Sequence, residues 1–148
     1  MGQINMGRVI LGGLLAGVVI NIGEFVLNMA ILGTLWNEAL QALNRPAFDA
    51  GMIVFFVLLA FALGIMAVWV YAAIRPRFGA GPLTALCAGL IVWALAILYP
   101  TGGALPMHLF PRRLLFYTAL WEIFELPVAT LAGAWIYAEP AGTMSQNR

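Results

Sequence analysis

Four apolar stretches, each long enough to cross a bilayer, take up most of this chain and leave little to fold in any other way. A spanning helix needs about 20 predominantly apolar residues. Such windows run roughly from Val9 to Leu32, Met52 to Ile74, Pro82 to Tyr99 and Leu114 to Tyr137. Charged residues make up only 9% of the 148, against about 25% in a typical soluble domain. The predicted fold is an all-α membrane protein, a single integral membrane domain over residues 1–148 with four transmembrane helices. The N-terminal run behind Arg8 has the outline of a secretory signal, but it is too long and no A-x-A site follows, so it reads as an uncleaved first span.

Four spans put both termini on one side. Arg8, the "RPR" at Arg75 to Arg77 and Arg148 share that side, and Arg45, Arg112 and Arg113 lie opposite. The excess of arginine favours termini in the cytoplasm of a bacterial cell, with the chain in the inner membrane. On the far side, "TLWNEALQALNRPAFDA" carries apolar residues at Leu35, Trp36, Ala39, Leu40 and Leu43. This is the spacing of a short interfacial helix, with Trp36 at headgroup depth and Pro46 ending it. The other loop of that face, "YPTGGALPMHLFPRR", holds three prolines and two adjacent glycines and is expected to be irregular, folded back over the mouth of the bundle.

An internal repeat is also visible. "LLAGVVINI" from Leu14 aligns with "LCAGLIVWA" from Leu86, and "VWVYAA" from Val68 aligns with "AWIYAE" from Ala134. Two repeated helical hairpins would account for both matches, because corresponding helices then run in the same direction.

Against this apolar background the first span carries "INIGEFVLN". At about 100° per residue, Asn21, Glu24 and Asn28 share one face, which continues back to Gly17 and Gly13. Small residues permit close helix approach and interior polar groups bond across helices, so this face points into the bundle. The fourth span repeats the pattern, with Thr118, Glu122, Glu125, Ala129 and Gly133 along one face. Pro127 there withholds the backbone donor that the Ile123 carbonyl would normally receive.

A rise of about 1.5 Å per residue places Glu24 roughly 24 Å from Arg8, and Glu122 roughly 14 Å from Arg113 on the opposite side. In a hydrocarbon core about 30 Å thick, both fall in the half nearest the loops. That half also holds His108, Arg112, Arg113 and Arg45, which suggests a polar vestibule. An isolated charge at mid-membrane costs about 3 kcal/mol on the mildest scale, so the glutamates must be protonated, paired or hydrated.

Other chemistries find little support. The sole cysteine, Cys87, cannot form an intramolecular disulfide and reads as a small buried residue. The sole histidine, His108, excludes bis-histidine haem within one chain. A metal site on Glu24, Glu122 and Glu125 is conceivable, but the Glu-x-x-His pairs of di-iron bundles are missing and no metal is assigned. Trp36 and Trp135 fit interface belts, whereas Trp93 and Trp121 lie deeper, near the carboxylates. A net charge of +1 provides no basic stripe for nucleic acid. No nucleophile with a base and no phosphate loop is present, so an enzyme is not expected. No cofactor is implied.

The runs "GRVILGGLLAGVVINIGEFVLN", "WVYAAIRPRFGAGPLTA" and "LAGAWIYAE" resemble a group of uncharacterised four-span proteins of bacterial inner membranes. That resemblance covers nearly the whole chain and implies topology and a bacterial source, with no activity attached. In design alone, the chain is similar to small multidrug resistance transporters, four-span proteins with an essential glutamate in the first helix, here matched by Glu24. It departs from them in its greater length, its two further glutamates and the context of the first-span acid.

The expectation is a transport-like membrane protein, as a homo-oligomer in the lipid bilayer, whose interior carboxylates bind a proton or cationic solute. Glu24 would be the principal residue, with Asn21 and Asn28 around it and Glu122 and Glu125 as a second acidic pair. Gly13, Gly17 and Gly133 would serve helix packing. The rival expectation is an accessory subunit of a larger electron-transfer or photosynthetic membrane complex, with the polar stripe used for packing.

Overall fold

The computed structural model describes residues 4–137. Arg148 and the last two residues of the "AWIYAE" match lie outside them. No strand occurs among the described residues, and four helical stretches, Met6–Ile31, Ala50–Phe78, Pro82–Met107 and Arg112–Ile136, are long and apolar enough to cross a membrane. This makes the chain a multi-pass membrane protein. Large apolar side chains such as Phe55, Leu58, Phe124 and Trp135 cover the exterior, as they must where lipid rather than water is the solvent.

Local sequence sets the ends of the helices. Asn5 caps α1 (Met6–Phe25) by accepting from the Arg8 N–H at 3.1 Å, and Asp49 caps α3 (Ala50–Phe78) by accepting from Met52 at 2.8 Å. Each cap satisfies a donor that a helix start leaves orphaned. Between the two lies α2 (Gly33–Ala42), the short helix expected from its amphipathic spacing. It stops before Pro46, because Asn44 takes a left-handed conformation, φ 53°, and the Arg45 N–H closes back onto the Leu40 carbonyl at 2.8 Å. Gly79 at φ 86° ends α3, and Pro82 stands in the first turn of α4 (Pro82–Trp93).

The loop "YPTGGALPMHLFPRR" is more ordered than its composition predicts. A π-helical turn, Ala94–Leu98, leads into α5 (Tyr99–Ala104) and a 3-10 turn, Leu105–Met107, so the third span runs on well past Tyr99. Pro100 is tolerated because the carbonyl its ring would crowd, four residues back, lies in the wider π turn. The chain reverses only at His108, φ 53°, before α6 (Arg112–Ile136).

The spans pack as two hairpins, α1 with α3 and α4 with α6, joined by contacts of α1 with α6 and α3 with α4. Both hairpins are closed by a glycine against backbone. A Cβ on Gly17 would lie 2.8 Å from Phe61 Cα, and one on Gly89 would lie 2.5 Å from Pro127 Cα. The alignments that pair Leu14 with Leu86 and Val68 with Ala134 also pair Gly17 with Gly89 and Phe61 with Pro127. Each hairpin also has a π turn in its first span, Val26–Ile31 or Ala94–Leu98, followed by a short helix. The repeat thus places glycines at matched contacts, while its alignment sets Val26–Ile31 against residues 98–103 rather than against the second π turn. Its equivalent tyrosines, Tyr71 and Tyr137, meet edge to face at 6.0 Å on the terminal side. There the Asn5 N–H donates to the Tyr137 hydroxyl at 3.2 Å.

Two apolar clusters fill the interior. The larger, with Ala16, Ile20, Val68, Ala88, Leu126 and Ala129, occupies the terminal side. The smaller, Leu27, Leu32, Ala39 and Leu114 with Trp36, Phe110 and Trp121 against them, lies toward the loops. Along α1 and α6, the glutamates fall between the two.

Candidate functional site

Glu24 on α1 and Glu122 and Glu125 on α6 each offer a carboxylate oxygen, and these atoms all lie within 4.8 Å of one another. Periodicity could give each acid a face and a depth but not the neighbour it meets. The packing of α1 on α6 supplies it. Close approach at this level depends on Gly23, whose backbone abuts the Glu125 carboxylate with no side chain between them. Further along, Gly12 and Gly133 meet backbone to backbone across the same two helices.

Glu122 and Glu125 are buried, at 2% and 8% exposure, and Glu24 is half-buried. Neutral donors hold two of the three acids. The Asn28 amide donates to Glu24 Oε2 and also to the Glu24 carbonyl at 3.0 Å, while the Trp36 indole donates to Asn28 Oδ1 at 2.7 Å. The Trp121 indole donates to Glu125 Oε2. Glu122 Oε2 and Glu125 Oε1 are buried without a hydrogen-bond partner, as is the Thr118 hydroxyl one turn before Glu122.

Trp36 therefore turns inward, toward Asn28. Its ring packs edge to face on Phe48 at 5.7 Å and on Phe110 at 5.8 Å, which covers the loop side of the cluster. Its role escaped sequence reasoning because α2 folds back over the π turn Val26–Ile31, and periodicity within one helix does not report that return. Gly23 was missed as well, although a glycine beside an intramembrane acid is itself a signal of close approach. Trp93 donates to the Ala119 carbonyl at 3.0 Å and serves packing. Trp135 is 82% exposed, which fits a belt position.

The stripe expected on one face of α1 divides between two neighbours. Gly13 and Gly17 face α3, and the Asn21 amide bonds to the Gly17 carbonyl at 2.8 Å and the Val57 carbonyl of α3 at 3.4 Å. Asn21 is thus no part of the shell around Glu24. Residues three apart differ by about 60° around a helix, enough to face different partners when a helix sits between two others.

The expected vestibule is likewise dispersed. His108 and Arg112 line a separate cavity with Leu105 and Pro106, and Arg45 and Arg113 are exposed. None of these four forms an ion pair among the described residues. The charged groups acting on Glu122 are Glu24 and Glu125, both of its own sign.

No family model, curated protein or solved structure matches this chain.

The chemistry must therefore come from the cluster itself. Three carboxylates in an apolar interior repel one another strongly, and indole and amide donors orient them without neutralising them. One or more protons, or a bound cation, would balance the charge. Beside the cluster, an apolar groove of about 600 Å³ between α1 and α6 reaches Gly23 and Glu125, with Ile22 and Phe124 on its lipid-facing rim.

Proposed function

We propose that this protein carries an intramembrane cation site, transport-like in design, at which Glu24, Glu122 and Glu125 exchange protons with a cationic solute. The observation that carries the reading is the meeting of three carboxylates from two spans without an arginine beside them. Packing alone has no need of three acids at one point, because a single amide or hydroxyl pair would pin the helices at a smaller desolvation cost. Glu24, the most accessible acid, serves as the entry residue, and Asn28 and Trp36 hold its carboxylate in place. The protein acts as a non-enzymatic homo-oligomer in a bacterial inner membrane with cytoplasmic termini.

Proteoliposomes loaded with a pH-sensitive dye test this reading. Under an imposed pH gradient, addition of monovalent, divalent or organic cations should release protons in wild-type vesicles and leave Glu24→Gln vesicles silent. Equal responses in both would sink the proposal. Purification in mild detergent tests the accessory role: co-migration with other subunits at fixed stoichiometry would favour that role over a self-contained transporter.

A further inference from the structure

We infer that the three-glutamate cluster is a binding site for one divalent metal ion of the hard, oxygen-preferring class, such as Mn2+ or Ca2+. The inference rests on the cation-site reading above and names the ligand of that same site.

Two independent observations support it. First, Glu24, Glu122 and Glu125 converge from two helices with one oxygen each inside a span of 4.8 Å. Opposed oxygen ligands of Ca2+ are about 4.6 to 5.2 Å apart, at twice the usual bond length, and adjacent ones are closer. The cluster can thus surround such an ion with little movement. Second, Glu122 at 2% exposure and Glu125 at 8% each keep a buried oxygen, Oε2 and Oε1, without any partner. A buried acceptor without a donor is costly, and a cation satisfies both oxygens at once.

The surrounding bonds match the outer shell of a metal site. Metal-ligating carboxylates are themselves held by hydrogen bonds that fix their orientation. Here Asn28 holds Glu24 Oε2 and Trp121 holds Glu125 Oε2, and the opposite oxygen of Glu125 keeps no partner. An all-oxygen donor set without thiolate or imidazole selects Mg2+, Ca2+ or Mn2+ over soft metals. Three ionised carboxylates and a dication leave one negative charge, so one retained proton makes the site neutral. Binding displaces every proton that the cluster holds beyond that one.

The experiment is titration of the purified full-length protein with Mn2+, followed by electron paramagnetic resonance of the free ion, with Ca2+ as competitor. The expected result is one saturable site per chain, displaced by Ca2+, with proton release into weak buffer. Glu122→Gln should abolish it, Trp121→Phe should weaken it by roughly ten to a hundredfold, and Glu38→Gln, at an exposed acid outside the cluster, should leave it unchanged. Glu24→Gln, at the half-buried member, gives the same loss should Glu122→Gln fail to fold. Absence of saturable Mn2+ binding overturns the inference, as does binding that survives in both glutamine variants. If Mn2+ fails while the proteoliposomes still release protons with a monovalent or organic cation, the metal assignment falls and the cation-site reading stands.

Discussion

Gly23 of the first span lies directly against the carboxylate of Glu125 in the fourth, so that a single methyl group on Gly23 would occupy the space of the Glu125 carboxyl. The glycine admits the acid to the cluster. Gly23→Ala should push Glu125 away from Trp121 and Glu24, with a loss of about 1 to 3 kcal/mol typical of overpacking. Thermal unfolding in detergent reads the loss, and a change in Trp121 emission reads the displaced hydrogen bond. An unchanged melting temperature and spectrum would contradict this packing.

The hairpin glycines make a paired prediction. Gly17 and Gly89 occupy equivalent positions, each against the backbone of the following span. Gly17→Ala and Gly89→Ala should each destabilise the protein, by about 1 to 3 kcal/mol. Gly103→Ala, where a Cβ meets nothing within 4 Å, should not. Comparison of the three melting temperatures checks the claim.

Trp36 is expected to matter through its N–H more than through its ring. Trp36→Phe keeps an aromatic ring beside Phe48 and Phe110 but leaves Asn28 Oδ1 without its donor. A loss of about 1 kcal/mol is expected for the missing bond. Weaker proton coupling in proteoliposomes should accompany it, since Asn28 holds Glu24. Full coupling in Trp36→Phe would show that the Trp36–Asn28 bond does not support the site.

Topology gives a prediction independent of the site. With both termini cytoplasmic, as proposed, green fluorescent protein fused to either end should fluoresce in a bacterial host. Alkaline phosphatase inserted after Asn44 or His108 should be active, because both loops then face the periplasm. The opposite pattern would invert the orientation and put the cluster in the cytoplasmic half of the bilayer, still on the side of these two loops.

The four spans were legible in the sequence because bilayer solubility demands long apolar runs, and the depth of Glu24 and Glu122 was legible because helical rise is constant. The order of helices around the bundle was not, since periodicity gives each helix an inner face without naming its neighbour. Asn21 shows the consequence: it shares a stripe with Glu24 in sequence yet bonds to α3, while Glu24 meets α6. The loop after Tyr99 misled for another reason. Glycine and proline there signal irregularity, whereas the π turn before Pro100 lets the helix continue. His108 and the loop arginines shared a membrane half with the acids, but depth does not fix position around the bundle.

The central claim is that Glu24, Glu122 and Glu125 meet at one site, and infrared spectroscopy of their carboxyl bands tests it most directly. Carboxyl groups in close contact perturb one another's bands. Glu122→Gln should therefore remove one carboxyl band and also shift the frequency of the two that remain. If each glutamine variant merely deletes its own band and leaves the other two unchanged, the three carboxylates are independent and the account is wrong.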